Sequence, residues 1–86
     1  MRRKTEITYG QLDKALRSFG FARRVFETHA KGIRYAHKET GASFMLPLYP
    51  PGNRVYNHHL IMVRTMLDGF GVANPSVFEA KLKKVG

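Results

Sequence analysis

The sequence predicts an α+β domain in which an antiparallel three-stranded sheet lies under helices, in the order α-β-β-β-α with an extra C-terminal helix. Three observations predict this class. Apolar residues recur at helical spacing over residues 12–19 and again over 56–70, whereas residues 21–48 are enriched in Val, Ile, Phe, Tyr and Thr. Two glycine-containing breaks, at 30–32 and 39–41, divide this central segment into three strands joined by hairpins.

The first helix is predicted to begin near Thr8, because Gln11 follows three residues later and completes a capping-box pattern. Gly20 stands where a left-handed C-terminal cap is expected. The apolar stripe between them comprises Leu12, Ala15, Leu16 and Phe19.

The three strands are predicted at residues 21–28, 33–38 and 43–48. The sequence does not decide which face of the first strand points inward, because bulky side chains occupy both sets of alternating positions. In the third strand Pro47 lacks a backbone donor, which favours an edge position or the frayed end of the strand.

Two further helices follow the Pro-Pro-Gly turn. Asn57 is the predicted cap of the first, and Gly69 and Gly71 mark its end. Asn74 as N-cap and Pro75 at the first helical position predict the last helix, whose C-terminal lysines suit the helix dipole. The apolar sides of the two helices comprise Tyr56, Leu60, Val63, Leu67 and Phe70, and Phe78, Leu82 and Val85.

Length and charge predict one small domain with a polyanionic partner. The 86 residues include 15 Lys and Arg against 6 Asp and Glu, which gives a net charge of +9. We expect a basic N-terminal tail over residues 1–7 and a single domain over 8–86, in which 75–85 form the added helix. Nucleic acid is the commonest partner of so basic a domain.

Several function classes find no support in the sequence. The chain has no cysteine, so it offers neither a disulfide nor a thiolate zinc site. Its longest apolar run, residues 60–63, is far shorter than the roughly 20 residues of a membrane span, so we expect a soluble, cytoplasmic protein. His58 and His59 are consecutive and therefore lack the i, i+4 spacing of a helical metal site. We predict no metal and no cofactor.

Residues 33–42 and 44–50 resemble the central hairpin of the HicA (YcfA-like) toxin family. In that family a strand ending in aromatic-x-His, here Tyr35-Ala36-His37, leads through a glycine turn to an apolar strand ending in Pro-x-x-Pro. The resemblance extends over roughly residues 8–72. It implies a small RNA-binding fold of the double-stranded-RNA-binding-domain type, whose members include metal-independent ribonucleases that a partner antitoxin neutralises.

The resemblance also implies where a catalytic histidine would stand, at the opening of the second strand. Gly32 and Ile33 occupy that place here, and His37 matches a framework histidine of the family. A shifted register would bring His29 near the vacant place, which makes His29 the candidate catalytic residue. The alternative is that His29 is a solvent-exposed side chain at the end of a hairpin.

Basic residues of the first helix and first two strands form the predicted RNA-binding set. We expect a contiguous positive face that contacts phosphates and 2′-hydroxyls and selects RNA by shape more than by sequence. A merely solvated surface is the alternative. The set comprises Arg17, Arg23, Arg24, Lys31, Arg34 and Lys38.

The four tyrosines are candidates for stacking on bases or for filling the core. We expect Tyr49 and Tyr56, which flank the Pro-Pro-Gly turn, to be the least buried of them.

Two other functions stay open at this point. The first is a protein-interaction module, in which apolar residues of 44–49 or 78–85 dock a partner or a second copy of the chain. The second is DNA binding through the helix over 57–71, which is disfavoured because Arg64 is the sole cation there.

Overall fold

The computed structural model describes residues 3–27 and 31–85. Its elements are β1 (Lys4–Thr8), α1 (Tyr9–Ser18), β2 (Phe21–Phe26), β3 (Gly32–His37), β4 (Ser43–Pro47), β5 (Arg54–Tyr56), α2 (Asn57–Gly69) and α3 (Pro75–Val85). β2, β3 and β4 form an antiparallel sheet in that order, and β1 pairs with β5 in a separate two-stranded ribbon. The predicted α+β class, with a three-stranded antiparallel sheet and three helices, is confirmed.

The predicted basic tail over residues 1–7 overlaps a strand in its described part, because β1 begins at Lys4. In β1 and β5, Lys4 lies opposite Tyr56 and Thr8 lies opposite Arg54. The Thr5 hydroxyl donates to the carbonyl of Val55 (2.9 Å), and Val55 itself is fully buried. The ribbon therefore joins the start of the chain to the segment before α2.

The helix ends follow the predicted caps closely. The Thr8 hydroxyl accepts the backbone N–H of Gln11 (3.1 Å), and the Gln11 side chain accepts the backbone N–H of Thr8 (2.9 Å). This is the complete capping box. Asn74 caps α3 by accepting the backbone N–H of Val77 (2.9 Å). α2 differs by one position, since Tyr56 is its N-cap and Asn57 its first residue.

One surface of the sheet packs against the helices and forms the core. The buried strand residues are Phe21, Ile33, Tyr35, His37, Phe44 and Leu46, and the buried helix residues include Leu12, Ala15, Leu16, Val63, Leu67, Phe78 and Leu82. α3 contacts both α1 and α2, so the predicted helix over 75–85 packs as part of the core.

This packing removes four apolar side chains from the docking surfaces expected for a protein-interaction module. Phe44 and Leu46 of the 44–49 segment point into the core. Phe78 and Leu82 of α3 are likewise buried against the rest of the domain. These apolar side chains stabilise the fold and are not available to a partner.

His37 has a structural role in the core. Its Nε2 lies 3.0 Å from the carbonyl oxygen of Phe19 and donates to it, and its Nδ1 lies 2.8 Å from the Thr40 hydroxyl. The ring thus joins the end of α1 to the turn after β3. β4 is an edge strand, which confirms the expectation from Pro47. Within the described ranges, no helix is long and apolar enough to cross a membrane.

Candidate nucleic-acid interface

The sheet surface that points away from the helices carries two opposed arginines. Side chains alternate along a strand, and paired residues of neighbouring strands share a face. We call this surface the outer sheet face. It comprises Ala22, Arg24 and Phe26 of β2, Gly32, Arg34 and Ala36 of β3, and Ser43, Met45 and Pro47 of β4. No carboxylate occurs among these nine residues.

Arg24 and Arg34 lie directly opposite each other across β2 and β3. The Arg24 guanidinium lies 5.7 Å from the centre of the Phe26 ring, and the Nε of Arg34 donates to the Ser43 hydroxyl (3.3 Å). Neither arginine forms a salt bridge with any other residue that the structure describes. The two exposed side chains therefore have no carboxylate partner in the described chain, and they line a groove together with Arg23, Ala22 and Ala36.

The structure separates the six predicted RNA-binding residues into groups. Arg24 and Arg34 share the outer sheet face. Arg17 and Arg23 both pair with Asp13, at 3.0 Å and 3.4 Å, and Arg23 lies at a sheet position that faces the helices. The other two, Lys31 and Lys38, are exposed at the two ends of β3.

A cleft of about 200 Å³ opens beside Asp13, between the start of α1, the sheet and the loop after β4. The Tyr35 hydroxyl donates to Asp13 at 2.6 Å. Burial, helped by this hydrogen bond, raises the pKa of the Tyr35 phenol. On another wall the rings of Tyr9 and Tyr49 stack at 4.7 Å, and Arg23 lines the same cleft.

Four rings form a continuous group at the start of α2, which we call the aromatic platform: Tyr49, Tyr56, His58 and His59. The rings of His58 and His59 are 4.2 Å apart, and Tyr56 lies 5.7 Å from His58 and 5.9 Å from His59. Tyr49 lies 6.0 Å from Tyr56 and 6.3 Å from His59. His58 is exposed and the other three rings are half-buried.

Comparison with known proteins identifies no relative of this chain. The chain matches no protein-family model, no curated protein and no solved structure. The resemblance to HicA toxins over residues 8–72 therefore stays a prediction, and functional inference rests on this chain's own residues.

The candidate catalytic His29 lies in the 28–30 segment, outside the described residues. At the place where the resemblance implies a histidine, Ile33 is buried on the helix side of the sheet and Gly32 lies opposite Phe26. In the described parts of the chain, no group of three or more side chains could hold a metal ion. The consecutive positions of His58 and His59 are visible in the sequence, but their contacts with the tyrosines depend on the fold.

Because the Tyr35 phenol is buried, the free energy of unfolding should decrease at alkaline pH. Its pKa is raised in the folded state, so the stabilisation is present below the ordinary tyrosine pKa of about 10 and is lost as pH rises through the folded value. We expect Tyr35→Phe, which has no phenol, to be the less stable protein near pH 8. The difference in free energy of unfolding between Tyr35→Phe and the wild-type protein should decrease toward about pH 11. Urea unfolding at a series of pH values would measure it. A deficit that stays constant across this range would contradict the expectation.

Proposed function

We propose that this protein binds RNA and contacts the phosphate backbone through its outer sheet face. One observation carries the proposal: Arg24 and Arg34 lie opposite each other on a face without a carboxylate. Like charges in directly opposed strand positions destabilise a sheet. A phosphate bound between them would remove that cost, which makes the pair suited to an anionic ligand.

The chemistry of the outer sheet face suits a nucleic-acid backbone. A guanidinium offers a planar fork of donors that matches phosphate geometry. Ala22 and Ala36 are small, so a bulky backbone can approach the two arginines closely. The exposed Lys31 and Lys38 add positive charge at the ends of β3.

RNA is favoured over DNA by the layout of the domain. The order α1, β2, β3, β4, α2 is the one found in double-stranded-RNA-binding domains, and we propose a fold of that type. Such domains read shape and 2′-hydroxyls across the shallow minor groove more than they read sequence. α2 has Arg64 as its single cation, and Glu79 pairs with it at 3.4 Å, which leaves little charge for a major groove.

We place the protein in the cytoplasm.

Incubation with mixed-sequence RNA in EDTA tests the proposal. We expect retardation of the RNA that weakens steeply between about 50 and 200 mM salt, because binding releases counterions from the phosphates. No retardation at the low salt concentration, or retardation that salt leaves unchanged, would contradict backbone binding. The same gels read cleavage. Cleavage that disappears in His29→Ala would establish a metal-independent ribonuclease that uses His29, whereas intact RNA would mean recognition alone.

A second candidate function is a protein-interaction module, favoured by an apolar groove on α2. Phe70, which is 46% exposed, lines this groove together with Met62, Met66, Thr65 and Gly69. Its proposed occupant is the same helix of a second copy, and a partner protein such as an antitoxin is the other outcome to be tested. A solution mass well above 9.8 kDa without RNA retention would favour this function over RNA binding.

A further inference from the structure

We infer that the aromatic platform stacks unpaired bases, so that the RNA bound by this protein carries single-stranded nucleotides. The inference rests on the proposed RNA binding and adds a second contact of different chemistry. The outer sheet face offers charge to the backbone, whereas the platform offers ring faces to bases. Stacking on aromatic side chains tolerates any sequence, because every base has a π-face.

The platform presents rings to solvent in an ordered array. His58 is exposed and lies 5.7 Å from Tyr56 with an interplanar angle of 32°. Tyr49 and Tyr56 are half-buried, whereas Tyr9 and Tyr35 are buried. Two of the four tyrosines are therefore part of the core, and the other two, Tyr49 and Tyr56, lie near the surface beside the imidazoles of His58 and His59. A base that stacks on Tyr56 or His58 would cover apolar ring surface that water now contacts.

A cation lies over one ring of the platform. The Lys4 ammonium lies 5.3 Å from the centre of the Tyr56 ring. Each stacked nucleotide carries its own phosphate, and Lys4 is placed to attract it, since it forms no salt bridge with another residue of the described chain. Arg23 lines the neighbouring cleft of Tyr9 and Tyr49, where it pairs with Asp13. Aromatic rings interleaved with cations are the usual composition of single-strand binding surfaces.

Contacts below the platform hold its rings in place before any ligand binds. The Tyr9 hydroxyl lies 2.9 Å from Nδ1 of His59. The backbone N–H of Tyr9 donates to the carbonyl of Asn53, also at 2.9 Å, which fixes the loop between the two platform tyrosines. A prearranged surface loses less conformational entropy on binding than a mobile one. These rings therefore have different roles. His59 and Tyr9 anchor the platform, whereas His58 and Tyr56 are the rings on which a base would stack.

Two RNA probes distinguish stacking from backbone contact. The first is an oligoadenylate of about eight nucleotides, within the range of single-strand site sizes. The second is an abasic ribose-phosphate chain of the same length. We expect the wild-type protein to bind the oligoadenylate more tightly, by about 5- to 150-fold for each stacked base. His58→Ala and Tyr56→Ala should reduce this preference, and Val77→Ala should leave it unchanged, because Val77 is an exposed apolar side chain of α3 that belongs to neither proposed binding surface.

Imidazole proton resonances of the wild-type protein provide a readout that requires no variant. Base stacking should shift the His58 ring protons upfield when oligoadenylate is added, and the abasic chain should not. Equal affinity for the two probes, absence of the shift, or an equal loss in Val77→Ala would overturn the platform and leave backbone binding intact. Binding to neither probe, together with no retardation of mixed RNA, would overturn both proposals.

Discussion

Phe78→Ala is expected to lower the free energy of unfolding by about 3–5 kcal/mol. Phe78 lies on α3 and is 1% exposed, in contact with the same core that α1 and the sheet enclose. Truncation removes most of its apolar side chain and leaves a cavity that close-packed neighbours fill only in part. Because a domain of this size has a total stability on the order of 5–15 kcal/mol, the loss would be a large fraction of the whole.

Urea unfolding followed by circular dichroism would measure this loss, with Val77→Ala as the matched control. Val77 precedes Phe78 on the same helix but is 47% exposed, so its truncation should change stability by no more than about 0.5 kcal/mol. Equally small losses in the two variants would contradict the packing of α3.

Elements determined by neighbouring residues were predictable from the sequence. The capping box of Thr8 and Gln11 fixes the start of α1, and the Asn74-Pro75 pair fixes the start of α3. Both patterns act within one turn of helix, so no knowledge of the remaining chain is needed. The three strands of the sheet followed from composition and glycine breaks for the same reason.

The β1–β5 ribbon was not predictable in this way. β5 is three residues long, too short to show alternation, and β1 contains Ile7 as its single strongly apolar residue. Each strand exists because it pairs with the other, from Lys4 opposite Tyr56 to Thr8 opposite Arg54. Pairing between segments so far apart in sequence leaves no local pattern, and a basic start therefore looked like a tail.

The candidate interface was predictable in composition but not in arrangement. Arg23 and Arg24 are adjacent in sequence, and alternation places them on opposite faces of β2. Which of the two faces outward depended on the register with β3, because bulky residues at both sets of positions left the inward face of β2 undecided. Tyr49 and Tyr56 were correctly expected to be less buried than the other two tyrosines. Their contacts with His58 and His59 required the folded turn.

Arg24→Glu/Arg34→Glu should abolish RNA retardation at salt concentrations where the wild-type protein binds fully. The replacements change the net charge from +9 to +5, since each removes a positive charge and adds a negative one. If both guanidiniums contact phosphates, the slope of log affinity against log salt should also fall by about 2. The variant should keep its fold, because the two side chains are exposed and form no salt bridge within residues 3–27 and 31–85.

Lys83→Glu/Lys84→Glu is the control that separates a local interface from net charge. Both lysines are exposed near the end of α3, and their replacement gives the same net charge of +5. If the outer sheet face binds the backbone, this control should keep the wild-type salt slope and lose only the affinity due to the long-range field. Equal losses of slope in the two variants would mean that RNA is held by the overall positive charge. An unchanged salt slope in Arg24→Glu/Arg34→Glu would mean that another surface contacts the RNA backbone. Lys4 and Arg23, near the aromatic platform, would then be the next cations to replace.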